Sequence, residues 1–409
     1  MAYRKILHLD LDAFFCAVEE LYNPSLAGKP FAVGGSPDAR GVVASCSYAA
    51  RKFGIHSAMP MSQAVKVCPN LTIIKSHHRQ YSKISTKVMQ QVHALTPFVE
   101  QISIDETFFE VSDLPESGEH IAKKLQASIM RLYGLPSSIG VATNKLVAKI
   151  ANDFGKASYT GDFPPNAITV VPAGLESDFL APLPVDALWG IGTKTAGRLN
   201  DLGINTIGDL AKIPETKLVE MFGKHGSKLA IRAKGIDNRP LSTSHEIKSI
   251  SHERTYAEDV SDIETLKRTL MSLSENVGKR LRRSNKFGRT VRLKLRWADY
   301  TTQSRQSALN IPTNQNQIIY NTIIDLFNSV WIEGKRVRLL GVGVSGFETP
   351  VRQLSFWEDP NLISEQKEKQ LQDALDALRD RFGDRIVQRA SSLDHKDTYS
   401  RIRPYNNAD

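Results

Sequence analysis

Gln101-Ile102-Ser103-Ile104-Asp105-Glu106-Thr107-Phe108-Phe109 places two adjacent acids inside an apolar run. The β-branched and aromatic neighbours read as two short strands meeting at a bend, a hairpin with acids at its crest. Near the start, Ile6-Leu7-His8-Leu9-Asp10-Leu11-Asp12 repeats the pattern, with Asp10 interrupting an apolar strand. Burying an unpaired carboxylate in such a place is costly, and a bound cation removes the cost. Three carboxylates on neighbouring strands make a hard, oxygen-rich site of the kind Mg²⁺ prefers when it also holds phosphates. Successive side chains on a strand point to opposite faces, so Asp105 and Glu106 can serve one site only near a bend or an edge. A lone Asp-Glu pair reads first as a turn acid beside a surface acid. Asp10 is what brings in the metal reading. Asp12 has a weaker claim, as a cap for a helix starting at Ala13.

The chain has 409 residues, enough for about two to four domains. Its apolar runs are too short to cross a bilayer, so no membrane association is expected. Met1-Ala2-Tyr3-Arg4-Lys5 leads straight into a strand without a signal-peptide pattern. Cys16, Cys46 and Cys68 lack metal-ligand spacing and predict reduced thiols in the cytoplasm. Net charge is +9, and residues 241–350 hold about +6 of it, with 17 basic and 11 acidic residues. A positive field confined to one region fits a nucleic-acid footprint.

Residues 1 to about 165 read as α/β. Strands are predicted at 6–9, 31–33, 42–45, 99–104, 108–111 and 138–142, and helices at 14–21, 81–95, 119–133 and 144–154, with Thr143 as the last helix's N-cap. From about 166 to 240 short helices are punctuated by glycine. Residues 245–349 read as a separate α+β domain with helices at 263–283 and 316–327. One more amphipathic helix spans about 364–382.

In Val291-Arg292-Leu293-Lys294-Leu295-Arg296-Trp297 apolar and basic residues alternate strictly. On a strand, Arg292, Lys294 and Arg296 share one face. Arg336 and Arg338 repeat the pattern around Val337, and Arg282, Arg283, Lys286 and Arg289 add charge upstream. Seven bases without an acid between Arg282 and Arg296 favour a sheet that tracks phosphates over a merely solvated face, without implying base reading.

Leu188-Trp189-Gly190-Ile191-Gly192-Thr193-Lys194 allows a tight turn between short helices. The second helix's first amides, with Lys194, could hold a phosphate; an ordinary helical hairpin is the alternative. Phe222-Gly223-Lys224-His225-Gly226 is a looser copy. Tyr48 and Arg51, three apart, share a helical face that could grip a triphosphate, or be a plain surface turn. Lys156 carries the same ambiguity, and His77-His78 reads as solvated.

Taken together, His8-Leu9-Asp10-Leu11-Asp12-Ala13-Phe14-Phe15, Ser45-Cys46-Ser47-Tyr48-Ala49-Ala50-Arg51, Ser103-Ile104-Asp105-Glu106, Ser138-Ile139-Gly140-Val141-Ala142-Thr143-Asn144-Lys145, the 188–192 glycine turn and Lys248-Ser249-Ile250-Ser251-His252-Glu253 resemble the Y-family translesion DNA polymerases of the DNA polymerase IV (DinB) type. The resemblance runs from about Arg4 to Phe356.

It implies a multidomain α/β and α+β right-handed polymerase: palm at 1–12 and 77–165, fingers at 13–76, a helix-hairpin-helix thumb at 166–240, a little finger at 245–349 and a tail at 350–409. It implies low-fidelity lesion bypass without a proofreading exonuclease, by a monomer acting on primer-template DNA and deoxynucleoside triphosphates. Asp10, Asp105, Glu106 and the Leu11 carbonyl would hold two Mg²⁺ ions, which assist an in-line displacement. Tyr48, Arg51 and Lys156 match triphosphate-binding positions. Phe15, which reads as core from the residues alone, matches the steric gate against a ribose 2′-hydroxyl. Gly190, Gly192 and Lys194 would grip DNA from the thumb, and Arg292, Lys294, Arg296, Arg336 and Arg338 from the little finger. Small residues at Val42, Val43, Ala44 and Ala58 would leave the nascent base pair lightly contacted.

Two places depart from the family pattern. Thr107-Phe108-Phe109 replaces the usual alanine and bulky pair after the acids, with little effect expected on metal binding. Gln353-Leu354-Ser355-Phe356-Trp357 resembles a sliding-clamp peptide, with Gln353, Leu354, Phe356 and Trp357 as anchors; packing on its own domain is the alternative. Three rival readings are a non-catalytic DNA-binding relative, which would lack the acids, a partner-dependent mutagenesis subunit, and a nucleotide cyclase, which would lack the hairpins and basic sheet.

Overall fold

The computed structural model describes residues 3–161, 163–244, 246–349, 360–383 and 386–387. The chain divides into two compact units, residues 1–245 and 246–409. In the first, the strands are β1 (Ile6–Leu11), β2 (Phe31–Gly34), β3 (Val43–Cys46), β4 (Thr72–Ile74), β5 (Val99–Gln101), β6 (Glu106–Glu110), β7 (Ser137–Ala142) and β8 (Ile168–Val170). Its helices are α1 (Phe14–Tyr22), α2 (Tyr48–Arg51), α3 (Met61–Val67), α4 (His78–His93), α5 (Gly118–Tyr133), α6 (Lys145–Ala157), α7 (Glu176–Leu180), α8 (Thr193–Asn200), α9 (Ile207–Lys212), α10 (Glu215–Phe222) and α11 (Lys224–Ala233).

The main sheet runs β5-β6-β1-β7-β8, and β1 pairs antiparallel with both β6 and β7. Every residue of β1 is buried. Its two faces feed different cores, as the period-2 geometry of a strand requires. Leu7, Leu9 and Leu11 pack with Val18 of α1 and Ile121 and Leu125 of α5. Ile6 packs with Phe108, Val147 and Ile150, so its face is covered by α6. His8 and Asp10, two and four residues on, share that α6 side. Gly140 on β7 allows α6 to lie this close: an added Cβ would sit 1.9 Å from the Ala148 carbonyl oxygen.

Several local expectations are corrected. Asn144, not Thr143, caps α6, its side chain accepting from Val147 N at 3.0 Å. Asp12 caps nothing: Ala13 is the left-handed residue before α1, and the Asp12 carboxylate accepts instead from Ser138 Oγ and Asn166 N. The predicted strand at 99–104 stops at Gln101, because the chain turns through 102–105. Val43 is core rather than an open surface, whereas Val42, Ala44 and Ala58 are exposed.

The second unit contains β9 (Ser249–Val260), α12 (Ile263–Arg283), β10 (Gly288–Trp297), β11 (Thr302–Thr313), α13 (Asn316–Asn328), β12 (Val337–Phe347) and α14 (Pro360–Phe382). Its antiparallel sheet runs β11-β10-β12-β9. Val291, Leu293, Leu295 and Trp297 form its core with Leu270 and Val277 of α12 and Ile319 and Ile323 of α13. Helices therefore cover one face, and the basic residues of β10 lie on the other.

The role of α14, not derivable from sequence, is visible in its contacts. Arg282 on α12 donates through two nitrogens to Asp376, Lys279 pairs with Asp380 at 3.1 Å, and Asn316 donates to Gln372. Arg283 also bonds Asp380. Arg282 and Arg283 thus hold α14 on the helical layer and do not extend the basic face of the sheet. The sequence count of seven bases overstated that face, because the run crosses from α12 into β10.

Candidate active site

The register of β1 against β6 sets Asp10 directly opposite Glu106. Asp105 lies in the turn just before β6, where its carbonyl accepts from Leu11 N at 3.1 Å. The bend that the two adjacent acids required is therefore present. Ser103 builds it: its hydroxyl donates to the Asp105 carboxylate at 2.6 Å and accepts from the amides of Asp105 and Glu106 at 3.3 and 3.0 Å.

Asp10 is 8 % exposed. Burial pushes its carboxyl up to about 7; Lys156 opposes the rise and the nearby Glu106 adds to it. Lys156 reaches from α6 to 2.6 Å from Asp10 and 3.6 Å from Asp12. Two helical turns earlier, Lys149 stands 3.1 Å from Glu106. Burial lowers the Lys156 ammonium's pKa, but Asp10 and Asp12 more than compensate. Beneath them Asn152 donates to the His8 carbonyl and ring and to the Ser138 carbonyl, tying α6 to β1 and β7. Burial first, then Lys149 and Lys156, holds the His8 imidazole well below its usual range, so it is neutral.

Among the described residues no three acids, histidines or cysteines are placed close enough to hold a metal ion together. The donor chemistry nevertheless fits a hard divalent cation. All the donors are oxygens, Asp10 and Glu106 crowd each other, and lysine ammoniums stand in for positive charge at both.

Tyr48 begins α2, capped by Ser47, and the Arg51 guanidinium stacks 4.4 Å from its ring centroid. The Tyr48 hydroxyl is buried without a hydrogen-bond partner. Burial, then Asp12, raises its pKa, so it is a protonated donor. Tyr48 and Asp12 line one cleft with Ala13, Lys29 and Ser47. Phe15, half-buried on α1, stacks on Tyr81 of α4 with centroids 4.4 Å apart and planes 14° apart. His77 is exposed, as expected, and also pairs with Glu19 at 2.8 Å.

Elsewhere in the first unit, Gly190 adopts φ 106° and Gly192 precedes α8 with no side-chain cap. Lys194 is exposed in the first turn, so the free amides and the ammonium share one helix end. A Cβ at Gly190 would meet the Arg232 guanidinium at 2.8 Å, which itself donates to the Trp189 carbonyl. In the second unit, Arg292 is exposed and Lys294 and Arg296 are half-exposed on the open face. Lys294 reaches over Gly341 to Glu253 at 2.8 Å. A Cβ at Gly341 would collide with that Glu253 side chain at 2.8 Å, so the glycine keeps the face flat. Arg338 stacks over Tyr300 at 4.5 Å, and Arg336 is exposed just before β12. Gln353, Leu354, Phe356 and Trp357 lie outside the described residues.

Sequence reasoning missed Lys149, Ser103 and the Asp12–Ser138 contact. Lys149 had a readable signal, since it lies seven residues from Lys156 and hence on the same face of α6. The other two depend on pairings that only the folded sheet creates.

The sequence pattern of the impB/mucB/samB family matches residues 9–153, that of its C-terminal domain residues 247–356, and that of its HHH motif residues 176–204. A protein from Dehalococcoides mccartyi called DNA polymerase IV is 42 % identical over 98 % of this chain and 100 % of its own. Another of that name, from Desulfatibacillum aliphaticivorans, is 40 % identical over 96 % of this chain and 97 % of its own. Among solved structures, the Y-family DNA polymerase chimera Dbh-Dpo4(243-245)-Dbh aligns with a TM-score of 0.74 at 25 % identity, covering 84 % of this chain and 99 % of that one. An insertion ternary complex of Dbh DNA polymerase aligns at 0.61 and 25 % identity, covering 84 % and 99 %.

Proposed function

Because the chain belongs to the impB/mucB/samB family, the Y-family DNA polymerases, we propose that Asp10, Asp105 and Glu106 are the centre at which a primer 3′-hydroxyl is joined to an incoming deoxynucleotide. The activity is template-directed DNA synthesis of the low-fidelity translesion class, without a proofreading exonuclease and dependent on divalent metal. Its substrates are primer-template DNA and deoxynucleoside triphosphates. The observation that carries the site assignment is the pairing of Asp10 with Glu106 across β1 and β6, with a lysine ammonium on each.

Asp10, Asp105 and Glu106, with the Leu11 carbonyl, would hold two Mg²⁺ ions, which when bound supply activation of the primer hydroxyl and neutralisation of the triphosphate. The protein's own groups do the rest. Lys156 moves its charge from Asp10 to the triphosphate, because a phosphate offers more negative charge than a carboxylate shared with a cation. The unpartnered Tyr48 hydroxyl donates to a phosphate oxygen, and Arg51, held against the Tyr48 ring, presents its planar fork to the same group. Phe15 occupies the space a ribose 2′-hydroxyl would need.

Thumb and little finger hold the duplex by its phosphates, through Gly190, Gly192 and Lys194 at the start of α8, through Arg292, Lys294 and Arg296 on the open sheet face, and through Arg336 and Arg338 at the start of β12. The domain limits proposed are 1–12 with 77–165 for the palm, 13–76 for the fingers, 166–240 for the thumb, 245–349 for the little finger and 350–409 for the tail. The protein is proposed to act as a cytoplasmic monomer; its three buried free cysteines support a reducing compartment. Among the described residues no helix is long and apolar enough to cross a membrane. Gln353, Leu354, Phe356 and Trp357 are proposed to engage a sliding clamp through two bulky apolar anchors. Purified chain given a primer-template, four deoxynucleoside triphosphates and Mg²⁺ should extend the primer with template-matched nucleotides. No extension, or extension indifferent to the template, would overturn the reading.

A further inference from the structure

Phe15 does not stand alone. Its ring lies flat on Tyr81, and His78 meets both rings edge-on with centroids 5.9 Å away. Tyr81 is fully buried and fixed at its far end: its hydroxyl donates to Glu19 Oε1 at 2.5 Å. His77 Nδ1 meets the same oxygen at 2.8 Å. Glu19 is itself 6 % exposed, and it stands four residues after Phe15, on the same face of α1.

A carboxylate in such a place loses hydration, and a leucine or methionine would fill the space without that loss. What the carboxylate adds is direction, since it accepts from one phenol and one imidazole and sets where both sit. Burial and the Glu19 hydrogen bond both raise the Tyr81 pKa, so the phenol stays a donor.

A steric gate discriminates by overlap of a few tenths of an ångström, and it fails if the gating ring can tilt away. We propose that Glu19 is a positioning residue for sugar selection: through the Tyr81 hydroxyl it holds the backing ring against which Phe15 is pressed. This rests on the reading of Phe15 as the gate. Tyr81 fixed in place denies Phe15 room to retreat when a ribonucleotide enters. A deoxynucleotide does not push on the ring, so its incorporation depends far less on the lock.

The test measures kcat/KM for dCTP and for rCTP opposite template guanine in the full chain and in four variants. Phe15→Ala tests the underlying gate and should lose discrimination by about a hundredfold or more. Tyr81→Phe keeps the ring but removes the hydroxyl, and Glu19→Leu removes the acceptor. Each should lower the dCTP/rCTP preference about five- to tenfold, chiefly by faster rCTP use, in line with the loss of one buried hydrogen bond. Glu19→Gln keeps an acceptor and should stay near wild type. If Phe15→Ala discriminates less while Tyr81→Phe and Glu19→Leu keep the wild-type ratio, the gate stands and the lock is overturned. An equal loss with both nucleotides overturns it too, since that is what general loosening of the fold produces. Unchanged discrimination in Phe15→Ala removes the gate and the lock together. Because Tyr81→Phe conserves packing, it remains informative if Glu19→Leu does not fold.

Discussion

Lys156 places its ammonium 2.6 Å from the Asp10 carboxylate, bridging α6 and β1 at the point where β1 faces Glu106. A residue matched to the triphosphate thus spends the substrate-free state on an acid matched to the metal. In the proposed reading the same side chain has two alternative partners, and exchange between them would couple nucleotide arrival to release of the carboxylate. Lys156→Ala should therefore raise KM for the deoxynucleotide about tenfold or more, and should weaken the cation-free fold by stranding Asp10. Single-turnover incorporation and denaturant unfolding without metal measure the two effects. An unchanged KM would contradict the exchange.

Asp10 makes stability depend on pH. Its folded carboxyl titrates at about 7, against an ordinary value of 3.8, chiefly because it is buried. A raised folded pKa means that the contribution to stability is complete below about pH 4 and is lost as pH rises through 7. Asp10→Asn removes the titration. Its stability relative to wild type, without divalent cations, should improve between pH 5 and pH 8 by up to about 1.4 kcal/mol per pH unit. If Asp10 holds the metal as proposed, divalent cations compete with that proton, so stabilisation of wild type by Mg²⁺ should grow over the same window. Denaturation at the two pH values, with and without Mg²⁺, checks both signs.

The Tyr48 hydroxyl is buried without a partner in the free protein. Tyr48→Phe should therefore cost the free fold nothing, or stabilise it slightly, while raising KM for deoxynucleotides several-fold. A lower melting temperature with unaltered KM would mean that the hydroxyl serves the fold and not the substrate.

The two groups of arginines should separate cleanly. Arg292→Ala and Arg296→Ala each should weaken binding to any duplex sequence and reduce the salt slope by about 1. Arg282→Ala should leave the salt slope unchanged and destabilise the docking of α14, where it bonds Asp376. Glu253→Gln should tighten DNA binding, because it frees Lys294 from a 2.8 Å ion pair. Fluorescence anisotropy across a salt series measures all four.

The sequence carried the parts of this account that depend on local pattern. Strict alternation in β10 placed Arg292, Lys294 and Arg296 on one face, and that face is open. The acids demanded a bend, and the chain bends at 102–105. What it could not carry were pairings between segments far apart in the chain. His77 is exposed as read, but its pairing with Glu19, 58 residues away, was not in view. Asp12 read as a helix cap because Ser138, 126 residues on, was not in view. Arg282 and Arg283, read on the helix before the strand, were still counted with the basic face because a charge run does not reveal which layer each base faces. Phe15 read as core and is half-buried, because its exposed edge is set by the stack on Tyr81.

The central claim is that Asp10, Asp105 and Glu106 form the catalytic centre. The most direct measurement is single-nucleotide incorporation by wild type, Asp10→Ala, Asp105→Ala and Glu106→Ala at saturating Mg²⁺, with primer-template affinity measured on the same preparations. Each variant should lose at least about a thousandfold in rate, on the order of 4 kcal/mol of barrier, while still binding DNA. Wild-type turnover by Asp105→Ala, with DNA binding intact, would contradict the account.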